Sequence, residues 1–111
     1  MTSPDKSDVP PGTLELLILK TLSLSPMHGL GVSRRLEQMT RGVFRVNPGS
    51  FFPALHRMEQ EGFLEGEWGR SENNRQAKFY RLTRAGRRRL KEQERDWRRT
   101  VSVIARVLEA Y

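Results

Sequence analysis

Residues 47–83 read NPGSFFPALHRMEQEGFLEGEWGRSENNRQAKFYRLT. From Asn47 to Gly62 the pattern is that of a short amphipathic helix: Phe51, Leu55 and Met58 recur at helical spacing and Gly62 supplies the stop. Half a revolution away, Pro53, His56, Arg57 and Gln60 point outward, with Phe52 on the flank. Two positions compete for the start of this helix. A start at Asn47 puts Pro48 in the first turn and a start at Ser50 puts Pro53 there. The second is favoured, because a proline beyond the first turn removes an intrahelical hydrogen bond. Phe63–Trp68 and Ala77–Thr83 are aromatic-rich, and the second alternates Lys78, Tyr80 and Leu82 against Phe79 and Arg81, which predicts a two-stranded hairpin. Gly69–Gln76 (GRSENNRQ) is its polar, basic loop.

A helix followed by a basic hairpin is the order a winged helix-turn-helix needs to read DNA. The helix fits the major groove while the hairpin loop reaches phosphates or the minor groove beside it. On this reading Arg57 donates to a guanine edge or a phosphate, His56 and Gln60 offer further polar contacts, and Gly49 and Ser50 lend backbone amides to a phosphate. Phe52 and Pro53 share the DNA-facing side, and Arg70, Arg75, Gln76 and Lys78 contribute from the hairpin. Few outward side chains are long and polar, so DNA shape is expected to carry part of the specificity. The plainer readings are a solvated helix face, with Arg57 and Glu61 as an ordinary surface pair, and a mobile polar loop.

Upstream, Thr13 is placed to cap a helix running to about Ser23, in which Leu14, Leu16, Leu17, Ile18, Leu19 and Leu22 cover nearly every side. Such a helix needs burial on more than one face. A second helix follows from about His28 to Thr40, with Val32, Leu36 and Met39 inward, and Gly42 ends it. Downstream, Thr83 caps a final helix to about Tyr111. There Trp97, Val101, Ile104, Leu108 and Tyr111 recur at alternating spacings of four and three, with Leu90 seven residues earlier. This seam suits either packing back on the domain or pairing with a second subunit. Pairing is favoured, with Leu14, Leu17 and Ile18 completing it, because a two-fold dimer presents two reading helices to major grooves about 34 Å apart. The fold class is then mainly α with a small β-hairpin, a winged helix-turn-helix plus a long C-terminal helix. Residues 1–11 form a disordered lead, 12–83 the DNA-binding domain and 84–111 the dimerisation helix.

Composition agrees with this organisation. A chain of 111 residues suits one compact domain with an appended helix. Its 20 Lys and Arg against 13 Asp and Glu give a formal charge of +7, which favours polyanionic partners. The excess falls in the hairpin and in the arginine-rich start of the last helix, where Arg84, Arg87, Arg88, Arg89 and Lys91 read mostly as a solvated face. With no cysteine, disulfides and thiolate chemistry are excluded, which fits a reducing cytoplasm. No apolar run approaches the ~20 residues of a membrane span, and Met1–Pro11 lacks the pattern of a signal peptide. His28 and His56 fall on different helices, His28 reading as a helix-start residue, and no histidine–carboxylate group has metal-ligand spacing. Ser50 lacks a nucleophile-elbow context. No enzyme, cofactor or metal is expected. The competing reading is a winged-helix interaction module whose basic surface docks on an acidic protein. A small hydrolase using His56 is remote.

Three runs, SPMHGLGVSRRLEQ (Ser25–Gln38), NPGSFFPALHRMEQEGFLEGEW (Asn47–Trp68) and KFYRLTRAGRRRL (Lys78–Leu90), resemble the PadR family of bacterial transcription regulators in order and spacing. The likeness spans about Gly12 to Tyr111, and the single terminal helix is similar to the family's short form. The resemblance implies a repressor that dimerises through its terminal helix with help from the first and binds an inverted repeat in double-stranded promoter DNA. It also implies relief by small aromatic or drug-like effectors held near the dimer interface. The family usually has tyrosine at the positions of Phe52, where its hydroxyl contacts DNA, and of Leu30. This chain has neither hydroxyl.

Overall fold

In the computed structural model, residues 7–10 and 12–110 are described. The elements run β1 (Ser7–Asp8), α1 (Leu14–Leu24), β2 (Met27–His28), α2 (Gly29–Met39), β3 (Phe44–Arg45), α3 (Pro48–Gln60), β4 (Leu64–Arg70), β5 (Gln76–Leu82) and α4 (Arg84–Glu109). Three helices pack around one core, β4 and β5 form the wing, and α4 lies across α1. This is the winged helix-turn-helix with a long C-terminal helix.

The wing is antiparallel, paired from Leu64 with Leu82 to Arg70 with Gln76. Met27 and His28 add a short third strand by pairing with Tyr80 and Phe79, so the order is β2-β5-β4. That strand pins the α1–α2 connection to the base of the wing. A second, parallel pair joins Ser7 to Phe44 and Asp8 to Arg45. The lead expected to be disordered therefore contributes a strand over its described part, and Val9 packs against the core. Residues 1–6 and 11 lie outside the described residues.

Local chemistry sets the helix ends. His28 caps α2 through Nδ1, which accepts from the Gly31 amide at 2.9 Å. Gly42 and Gly62 follow α2 and α3 with φ of +76° and +85°, in the left-handed region where glycine carries no Cβ penalty. Thr13, expected to cap α1, makes no side-chain cap; its hydroxyl donates instead to the Pro10 carbonyl at 2.6 Å. The start of α3 is also corrected. Asn47 is the cap, its side chain accepting from the Gly49 amide at 2.8 Å, and Pro48 rather than Pro53 occupies the first turn. Pro53 lies inside the helix and leaves the Gly49 carbonyl without its helical donor. Gly49 is exposed, so water can satisfy that carbonyl and the cost stays small.

The core takes Ile18, Leu19 and Leu22 from α1, Val32 and Leu36 from α2, and Phe51, Ala54, Leu55 and Met58 from α3. Leu64, Tyr80 and Leu82 of the wing and Leu90 of α4 close it. Thr21, buried among them, satisfies its hydroxyl on the Leu17 carbonyl at 2.8 Å. Three expectations change here. Met39 is exposed, because the chain turns away through Arg41 and Gly42 directly after it. Ile18 is fully buried and Leu90 nearly so, both within this chain's own core, which removes them from any surface seam.

Candidate nucleic-acid interface

The outward face of α3 carries Pro53, His56, Arg57 and Gln60, all exposed, with Ser50 exposed in its first turn. Arg57 stands 3.8 Å from Glu61 at the surface, a loose pair that leaves the guanidinium available. The helix start offers less than its sequence suggests. The Gly49 amide is held by the Asn47 side chain, and the Ser50 amide donates to the Asn47 carbonyl at 3.0 Å. Because the helix is capped at Asn47 and does not start at Ser50, these amides belong to its own cap and are not free for a phosphate. The Ser50 side chain remains exposed.

The wing turn is built by short-range hydrogen bonds. The Ser71 amide donates to the Arg75 carbonyl at 2.8 Å, and Asn74 takes φ +58°, a conformation asparagine tolerates. Arg70 donates through Nη1 to the Asn74 carbonyl at 3.2 Å and side-chain oxygen at 3.4 Å, so it clamps the turn while remaining exposed. Arg75 and Gln76 are exposed beside it, and among the described residues Arg75 makes no ion pair.

Lys78 is the clear correction. Its Nζ donates to Glu59 at 2.8 Å from a position only 26 % exposed, bridging α3 to β5. The Glu59 hydrogen bond holds the Lys78 amine above the usual lysine range of 10.5. Gly66 makes room for this bridge, since a Cβ there would stand 2.5 Å from the Lys78 side chain and 2.9 Å from Glu59. Burial pushes the neighbouring Tyr80 phenol up as well. Lys78 is thus a brace between helix and wing, with its charge already matched.

Helix and wing share one continuous groove of about 580 Å³. Its walls include His28, Leu30 and Arg34 from the cap and first half of α2, Phe52 and His56 of α3, and Trp68, Glu72, Arg75, Gln76 and the Glu59-paired Lys78 of the wing. Arg34 and Trp68 were not expected at a DNA-binding site from sequence, and Leu30 was noted only as a position where the resembling family usually has tyrosine. Trp68 was legible in principle: strand alternation places it on the same face as Leu64, but it lies beyond the core, facing the groove. Among the described residues, no three His, Cys, Asp or Glu side chains form a metal-binding group, and no helix is long and apolar enough to cross a membrane.

The other predicted surface lies on α4. Trp97, Val101, Ile104 and Leu108 are exposed, as are Val103 and Val107, while Tyr111 lies outside the described residues. Leu16 and Leu17 of α1 face Trp97 and Val101 across a cleft of about 500 Å³, with Leu14 half-buried and packed against the core. Beneath it Glu15 accepts from Arg89 at 3.3 Å and from Gln93 at 2.5 Å, fixing α4 on α1.

Residues 18–92 match the model of the Transcriptional regulator PadR-like family. Transcriptional regulator Rv3488 of Mycobacterium tuberculosis is 35% identical over 82 residues, 74% of this chain and 73% of that protein. A solved PadR-like transcriptional regulator from Bacillus cereus is 29% identical with a TM-score of 0.77, covering 90% of this chain and 95% of that one. A solved PadR family transcriptional regulator from Eggerthella lenta is 28% identical with a TM-score of 0.79, covering 90% and 85% respectively.

Proposed function

The chain belongs to the PadR-like family of transcriptional regulators, and from that premise we propose that it acts as a homodimeric repressor on an inverted-repeat operator. The observation that carries this reading is the continuity of α3 and wing around one cationic groove. His56, Arg57 and Gln60 read the major groove, and Arg75 and Gln76 grip the adjoining backbone or minor groove. Residues 12–83 act as the DNA-binding unit and 84–111 as the dimerisation helix, whose bare apolar face from Trp97 to Leu108 pairs with a second copy. Joining two weak half-sites then supplies affinity that one head lacks.

Repression needs no further part, because a dimer seated on a promoter excludes polymerase from the cytoplasmic chromosome. A small aromatic or drug-like effector, held in the cleft between Leu16, Leu17, Trp97 and Val101, relieves it by binding one spacing of the two heads better than the other. Gel shift on the DNA upstream of the protein's own gene tests the core of this reading. A retained complex under excess random-sequence competitor, with steep salt dependence, is expected. Absence of sequence preference at every salt concentration would leave the interaction module docking on an acidic partner as the better reading.

A further inference from the structure

The groove between α2, α3 and the wing has an apolar stretch of wall that the polar readers do not explain. Phe52 is 40% exposed, Leu30 49% and Trp68 64%, all lining the same groove as His56, Arg34 and Arg75. Phe52 is positioned by its neighbours. Its ring packs over Gly29, where a Cβ would come within 2.9 Å of Cε1, and meets the buried Phe51 ring edge-on at 5.2 Å and 81°. The ring is therefore held with one face supported and the rest open, one helical turn before His56. Leu30 follows Gly29 directly, so both side chains stand at the junction of α2 and α3.

We propose that Leu30 and Phe52 form an apolar pad that reads the 5-methyl group of thymine at the edge of the major groove; this deepens the DNA-binding reading above and rests on it. The cationic rim made by Arg34 and Arg75 matches a polyanion, and the pad is continuous with the outward face of α3 through His56. Within the major groove thymine presents the one methyl group, and neither Leu30 nor Phe52 has a polar atom to spend on a phosphate or a base edge. Contact with deoxyribose would strengthen binding to every sequence equally. Contact with the methyl group alone creates a preference. With only His56, Arg57 and Gln60 as polar readers on α3, such a preference supplies information that their hydrogen bonds do not.

The test uses the full chain. An operator is first selected from a randomised DNA pool, and its thymines are then replaced singly by deoxyuridine, which removes the methyl group and nothing else. Binding is expected to weaken about fourfold at one or two symmetric positions per half-site, the scale of one buried methyl group. Phe52→Ala should bind thymine and uracil operators alike. Leu30→Ala, at an exposed position, repeats the test without touching the core. Unchanged affinity for every deoxyuridine operator overturns the pad, as does full discrimination retained by both variants, and in either case selective binding to the operator would still stand. Should the selection return no preferred sequence, the DNA-reading assignment falls and the pad falls with it.

Discussion

Arg75 and Lys78 sit three residues apart on one basic hairpin, and the sequence offers no reason to treat them differently. The fold does. Arg75 projects from the wing turn free of ion pairs among the described residues, whereas Lys78 is matched to Glu59, nineteen positions earlier and on another element. Arg75→Ala should weaken binding to all DNA sequences alike and reduce the salt slope by about one, because a phosphate contact releases about one counterion. Lys78→Ala should leave the salt slope unchanged and lower the midpoint of denaturant unfolding, because it removes the brace to Glu59. The sign of the pH effect follows from a folded-state pKa raised above 10.5. The stabilisation is complete below that value and is lost only as pH rises through the higher folded one, so the cost measured at pH 7 should equal that at pH 9. A reduced salt slope for Lys78→Ala would return the residue to the DNA surface. Arg57→Ala should instead relax preference at a particular base, and a variant unchanged in both affinity and preference would show that the α3 face is wrongly assigned.

Apart from the caps of α1 and α3, elements whose ends are set by neighbouring residues were readable from the chain; those that depend on distant partners were not. The glycine stops, the His28 and Thr83 helix starts and the hairpin each rest on chemistry within a few residues. The two-residue strands β1, β2 and β3 have no periodicity to detect and exist only through their partners. The onset of α3 misled because two prolines competed, and the cost of an interior Pro53 is small where the orphaned carbonyl is exposed. The junction of wing and α4 combines both kinds of information. Thr83 accepts from the Gly86 amide at 3.0 Å and donates to the Gly62 carbonyl at 2.5 Å, tying α4 to the end of α3. Helix propensity alone says Gly86→Ala should stabilise α4 by about 1 kcal/mol. Here a Cβ would collide with the Phe63 backbone carbonyl, so packing should win and the variant should lose about 1–3 kcal/mol in thermal or chemical unfolding. A raised melting temperature would contradict the packing of α4 against that carbonyl.

The whole molecule measures 57 × 40 × 21 Å, and α4, at 26 residues, is about 39 Å long at 1.5 Å per residue. A helix of that length outruns the domain that anchors it. The single apolar stripe visible in the sequence is accordingly divided: Leu90 is buried in the chain's own core, whereas from Trp97 to Leu108 the stripe is about half exposed or more among the described residues, with Leu16 and Leu17 of α1 facing Trp97 and Val101. Sequence periodicity finds the stripe but cannot divide it, because the division depends on where α1 ends beneath α4. The exposed part sets Trp97, Val101 and Ile104, each about half exposed, beside the more exposed Val107 and Leu108 on one helix, the kind of contiguous apolar patch that marks an interaction surface. On the proposed reading, pairing with a second copy buries it and fixes the distance between two reading heads, so full operator affinity depends on the pair. Trp97→Ala and Ile104→Glu should therefore sediment as monomers at micromolar concentration and lose operator affinity together, while unfolding as readily as the parent chain diluted to monomer. Because each removes avidity and leaves the head intact, added protein should recover a weak, half-site complex. Variants that sediment as dimers would refute the α4 seam, and monomers that bind the full operator with undiminished affinity would show that the heads do not act in pairs.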